Sequence, residues 1–218
     1  MKIGFVSENT LSAFKEGERT EIAELILFGF NGIGEVSYEK ELKGESGFFQ
    51  DVALLSKKNK NVVACGCITN TRGHKRKSVV VAENGRLLGV SDMLHSIDGE
   101  WGSGANLRVY ETKMGKIGVL VAEDLYFPEA VRSLVLCGSD FIFCAFDESE
   151  NALNTSYIRA YAHAYGTPIL LCGKEFCAIA DPSGELAFSS PASPVSVRYD
   201  SKKEYHLVET RRRACYKR

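Results

Sequence analysis

The chain has 218 residues, 44% of them hydrophobic and 25% charged, with a formal net charge of −1. That composition supplies enough apolar material for a sizeable core and excludes a disordered chain. The balanced charge argues against a general binder of nucleic acid or acidic membranes, and the longest apolar runs, such as 117–122, are too short to span a bilayer.

In chain order, apolar runs of four to seven residues alternate with stretches of helical period, the pattern of an α/β domain. Residues 2–7 read as a first strand rather than a signal peptide, since no long apolar run or A-x-A site follows Lys2. A short polar segment with room for one helix leads to a second strand at 24–30. Phe48, Phe49, Val52 and Leu55 recur at helical spacing and predict a helix over 46–58, followed by a strand at 62–69. Runs 78–82 and 86–90 flank Asn84-Gly85, a pair that takes the positive φ of a tight hairpin turn.

Residues 99–106 are a loop by composition, and 108–112 with 116–121 form a second hairpin. Pro128 pre-sets a helix start, and Val131, Leu134 and Val135 share one face of the helix that continues to 137. A strand at 141–146, a helix at 154–165 and a strand at 168–172 come next. Strands 176–180 and 185–189 then pair around Asp181-Pro182-Ser183-Gly184. A last strand is expected at 205–209, before a basic tail. No repeat or linker interrupts this order, so 1–218 is expected to form one domain. Seven cysteines without a secretory signal read as reduced thiols of a cytoplasmic protein.

The segment Gly115-Lys116-Ile117-Gly118-Val119-Leu120-Val121-Ala122-Glu123-Asp124-Leu125-Tyr126-Phe127-Pro128-Glu129 resembles the strand–elbow–helix of the carbon–nitrogen hydrolase (nitrilase/amidase) superfamily, with its pattern G-K-I-G-x-x-I-C-Y-D-x-x-F-P-E. Arg132 and Cys137-Gly138-Ser139-Asp140-Phe141-Ile142 extend the likeness, as do Ala23 to Phe28, the hairpin 78–89, Tyr157-Ile158-Arg159-Ala160 and 178–184, in the family's order. The resemblance implies a four-layer α-β-β-α sandwich, a homodimer, and hydrolysis of C–N bonds other than peptide bonds. It implies no cofactor.

The family's chemistry uses a Glu–Lys–Cys triad: a thiol nucleophile, a carboxylate that takes its proton, and an ammonium that stabilises the oxyanion. Carried over position by position, the nucleophile falls on Ala122, the glutamate on Phe30 and the lysine of Y-R-K-x-H-L on Asp92. None of the three can do the family's work, and an anion at Asp92 would oppose it. The resemblance therefore points to a pseudoenzyme that binds a small molecule or a partner. The alternative is an active hydrolase or amidase with a rearranged site.

Four carboxylates, Asp92, Glu100, Glu123 and Asp124, would make the former pocket acidic and suited to a cationic or hydrogen-bond-donating ligand. The other reading is that some of them face solvent or cap backbone N–H groups at the elbow. Trp101, in the Gly-rich loop, either covers the pocket mouth or anchors the loop. Cys144 ends a strand on the edge where α/β sites gather and is a candidate relocated nucleophile, or a buried small hydrophobe. Cys65 and Cys67 share a strand face, but no C-x-x-C loop supports a metal site. The basic clusters Arg72 to Lys77 and Arg211 to Arg218 lack the stacking aromatics of a nucleic-acid binder.

Overall fold

The computed structural model describes residues 1–8, 10–17, 23–148 and 152–200. Its strands are β1 (Lys2–Val6), β2 (Leu25–Phe28), β3 (Glu35–Ser37), β4 (Val62–Thr71), β5 (His74–Glu83), β6 (Arg86–Asp92), β7 (Arg108–Thr112), β8 (Gly115–Val121), β9 (Phe141–Ala145), β10 (Ile169–Cys172), β11 (Cys177–Ala180), β12 (Leu186–Ser190) and β13 (Val195–Arg198). The helices are α1 (Leu11–Gly17), α2 (Tyr38–Lys43), α3 (Phe48–Asn59), α4 (Pro128–Leu136) and α5 (Ala152–Tyr165), with a 3-10 turn at Ala122–Tyr126.

One sheet has the order β13-β1-β2-β4-β5-β6, with β3 paired to β4; the other has the order β12-β11-β10-β9-β8-β7. Strands β1, β2 and β4 run parallel, as do β8, β9 and β10. The two sets meet at their carboxyl ends, where a Cβ added to Gly29 would touch the Gly173 carbonyl at 3.3 Å.

The period of two along each strand sorts side chains between layers. Ile3 and Phe5 of β1, Val62 and Ala64 of β4, Val79 and Val81 of β5, and Phe141, Phe143 and Ala145 of β9 face inward, forming the core between the sheets. Their neighbours Val63, Cys65, Cys67 and Val80 face outward, against Leu11 and Phe14 of α1 and Phe49, Val52 and Leu55 of α3. Leu120, Ile142 and Cys144 of the second sheet pack against Val131 and Leu134 of α4 and Ile158 of α5. Four layers result, α-β-β-α. Each buried Val, Ile, Leu or Phe contributes about 1.5–3 kcal/mol of transfer free energy, so a one-residue register slip would expose a whole face and is strongly disfavoured.

The elements differ from the sequence reading in three places. Glu35–Ser37 and Tyr38–Lys43 form a short strand and a one-and-a-half-turn helix where no element was expected. The helix is capped by Ser37, whose hydroxyl accepts from Lys40 N, and by Gly44 in the left-handed region. Such short pieces carry too few apolar positions to show a period. Third, the strand that completes the sheet beside β1 is Val195–Arg198, antiparallel, with Ile3 opposite Val197. The strand expected at 205–209 and the basic tail lie outside the described residues. Among the described residues no helix is long and apolar enough to cross a membrane.

Candidate functional site

The elbow after β8 is the centre of the site. Ala122 is fully buried and holds φ at 48°, a left-handed conformation sparsely populated by any residue with a Cβ. What enforces it is the fixed strand before it, with Val121 opposite Ala145, and the anchor after it, Asp124. The Asp124 carboxylate is buried and accepts from Leu94 N at 3.0 Å and His95 N at 3.0 Å. The His95 ring adds a third group, its Nδ1 lying 2.8 Å from Oδ1, and the ring stacks on Phe127 at 3.9 Å. Burial pushes the Asp124 carboxyl above the ordinary carboxylate range, against the opposing pull of the Leu94 and His95 donors. Asp124 thus ties the loop after β6 to the elbow. It acts as a cap rather than a free charge.

A second group gathers beside the elbow. Lys77 lies on β5 two residues before Val79, so its side chain faces inward. Its ammonium lies 2.8 Å from Glu123 Oε1, 2.8 Å from Asp147 Oδ2 and 5.2 Å from the centre of the Trp101 ring. The Lys77 side chain is only 7% exposed, against 16% for Glu123 and 35% for Asp147. Burial alone would lower the lysine pKa, but hydrogen bonds and attraction from Asp147 and Glu123 outweigh it and raise it. Glu123 Oε2 is buried and has no hydrogen-bond partner among the described residues. One cation faces two anions here, so the cluster is negative by one charge.

Of the expected site residues, Trp101, Glu123 and Asp124 are gathered at the elbow, although Asp124 serves as an anchor. Phe30 lies just past β2, half-buried against the core cluster that contains Ala122. It passes so close to β4 that a Cβ on Gly66 would meet Phe30 N at 2.9 Å.

Asp92 requires a correction. It pairs with Ser78 in register, and Ser78 Oγ donates to its carboxylate at 2.7 Å on the outer face of the sheet. The residue that turns inward and is fully buried with Ala122 is the next one, Met93. Shifting the Y-R-K-x-H-L pattern by one residue puts its lysine on Met93 and its histidine on His95. The strand's period of two makes a single-residue offset a change of face.

Glu100 is exposed, with its backbone N–H bonded to Asp98, and takes no part in the ionic cluster. Cys144 is fully buried on the far face of its sheet, among Leu120, Val131 and Ile158, and burial pushes its thiol well up. A thiol there cannot reach the elbow. Cys65 and Cys67 likewise pack in the outer core.

Sequence reasoning missed Lys77 as a site residue by counting it with a basic cluster. The spacing Lys77, Val79, Val81 was the available signal, because residues two apart on a strand share a face. Asp147 was also missed. It follows the buried run 141–146 directly, at the carboxyl end of β9.

A sandwich of two mixed sheets between helical layers, with a strained elbow after a central strand, defines the architecture of the nitrilase class. Residues 20–196 match the carbon-nitrogen hydrolase family, and the chain belongs to it. A probable nitrilase of Schizosaccharomyces pombe is 28% identical over 131 residues, covering 56% of this chain and 47% of that protein. The match therefore spans about half the length of that relative. Among solved structures, Nit3 of Saccharomyces cerevisiae, a member of branch 10 of the nitrilase superfamily, superposes with a TM-score of 0.76 at 14% identity, over 99% of this chain and 94% of that one. The amidase NitN of Nesterenkonia sp. AN1 superposes with a TM-score of 0.72 at 13% identity, over 96% and 99% of the two chains. At such identities the likeness is one of fold.

Proposed function

We propose that this member of the carbon-nitrogen hydrolase family is a pseudoenzyme, a binding module for a small molecule or a partner built on the nitrilase scaffold. The observation that carries this is Ala122 at the elbow. A methyl group stands where the fold would present its nucleophile, and the backbone strain that would aim a nucleophile is still there. Loss of a nucleophile in a hydrolase costs on the order of 10⁶ in turnover, which leaves no useful residual rate. Phe30 and Met93 at the other two positions supply neither a base nor a cation. The nearby cation, Lys77, is held by two carboxylates and is not free to receive an oxyanion.

The rearranged-site alternative gains nothing from Cys144, which is sealed behind the sheet. A cytoplasmic homodimer belongs to the same proposal by family resemblance, and light scattering on the purified chain tests the dimer. For the activity, the chain is incubated with a panel of short aliphatic amides, nitriles and carbamoyl compounds, and ammonia release is followed. The expected result is no turnover above the buffer blank. Saturable turnover would overturn the reading, and its survival after replacement of every cysteine would also exclude a thiol route.

A further inference from the structure

We propose that Cys172 and Cys177 form a redox modification site, a thiol pair that closes to a disulfide by exchange with a low-molecular-weight disulfide. This goes beyond the binding-module reading and does not depend on it. Cys172 ends β10, Cys177 opens β11, and the two are direct partners across the antiparallel hairpin. The Cys172 carbonyl accepts from Phe146 N at 2.9 Å, on the side of β9, and in the next rung Gly173 N donates to the Phe176 carbonyl at 2.8 Å. The N–H and C=O of one strand residue point to the same side, so the cysteines are a non-hydrogen-bonded pair. Such pairs hold their Cα atoms about 4.5 Å apart, inside the window of about 4.4–6.8 Å that a disulfide spans.

Both side chains also share a face, in the inner core with Leu170 and Ile179. In the reduced pair each thiol has its own acceptor. Cys172 Sγ lies 3.7 Å from the Leu27 carbonyl of the other sheet, and Cys177 Sγ lies 3.4 Å from the Ser190 carbonyl. Rotation about the two Cα–Cβ bonds turns the sulfurs toward each other. The other buried cysteines among the described residues oppose different residue types: Cys65 faces Phe28 and Val80, Cys67 faces Ser78, and Cys144 faces Leu120 and Leu171.

In the exchange, one cysteine thiolate attacks a sulfur of the small disulfide and releases one small thiolate. The second cysteine thiolate then displaces the other small thiolate and forms the S–S bond. The pair loses two electrons and two protons, and both go to the two small thiols. Burial pushes both cysteine thiols up and keeps them protonated, so the exchange waits on opening of the hairpin tip and takes hours rather than minutes. The tip is short, and its Lys174 and Glu175 are exposed. Oxidation removes the thiol hydrogen aimed at Leu27, so the state of the pair is felt where the two sheets meet.

The sequence supplies the readout. Trypsin cuts after Lys174, which puts Cys172 in peptide 160–174 and Cys177 in peptide 175–198, each with one cysteine. The intact, fully reduced chain is kept overnight in excess oxidised glutathione without denaturant. Remaining thiols are alkylated in urea, and the chain is digested without reduction for mass spectrometry. The expected product in most chains is peptide 160–174 joined to 175–198, and dithiothreitol added before the alkylation should abolish it. Glutathione on exposed Cys137 shows that the oxidant acted. Absence of the joined peptides while Cys137 carries glutathione overturns the proposal. Stable glutathione adducts at Cys172 or Cys177 in place of the link overturn it too, because a fitting partner thiol would displace them. A different cysteine pairing in larger amount does the same, and none of these outcomes needs a variant to fold.

Discussion

Lys77 and Glu123 join the two sheets by an ion pair of 2.8 Å, Lys77 coming from β5 of one sheet and Glu123 following β8 of the other. Asp147, after β9, accepts from the same ammonium at 2.8 Å. The bond crosses the sandwich beside the elbow after β8.

Removing the lysine leaves two carboxylates facing each other in a largely dry place. Breaking a fully buried pair costs about 3–5 kcal/mol and an exposed one about 0–1. Because Asp147 keeps about a third of its exposure, Lys77→Met is expected to cost about 2–3 kcal/mol in urea unfolding. The double variant Lys77→Met, Glu123→Met removes the stranded charge too and should recover part of that loss. A single variant as stable as wild type would show that the pair contributes nothing.

The same pair sets an alkaline limit. The Lys77 pKa is raised in the fold, so its stabilisation is fully present below the ordinary lysine value, about 10.4, and is lost as pH climbs through the raised one. The stability gap between wild type and Lys77→Met should therefore be flat from about pH 8 to 10 and shrink above that. Unfolding midpoints in urea at stepped pH measure it, and a gap that widened with pH would contradict the sign.

Restoring the thiol alone should not restore chemistry. Ala122→Cys supplies a nucleophile, but on the proposed reading Phe30 and Met93 still stand in place of the base and the lysine. A missing general base costs about 10²–10⁴ and a missing oxyanion donor about 10²–10³. Ammonia release from a short aliphatic amide by Ala122→Cys is expected to match the blank. Turnover by this variant would mean that other groups at the elbow act as base and donor.

Cysteine reactivity should follow burial. Among the described cysteines Cys137, at the end of α4, is exposed, while Cys65, Cys67, Cys144, Cys172 and Cys177 are buried. Burial pushes the Cys177 thiol up to about 12 and the other four in the same direction, so thiolate is scarce as well as inaccessible. Brief iodoacetamide treatment followed by peptide mass spectrometry should label Cys137 and spare those five until denaturant is added. Early labelling of Cys144 would reopen the question of a thiol route.

The sequence by itself determined the layers. The alternation in Val62 to Cys67 and Val79 to Ala82, and the helical spacing of Phe49, Val52 and Leu55, each reflect a local period that burial enforces. The elbow motif from Gly115 to Glu129 likewise fixed Ala122 at the site, because neighbours in sequence stay neighbours in space. Tertiary structure alone decided the partners. Lys77 and Glu123 are forty-six residues apart, and only the packing of one sheet on the other brings their charges together. It also decided that Met93, not Asp92, turns toward Ala122, since a face on a strand depends on register and register is set by pairing across the sheet.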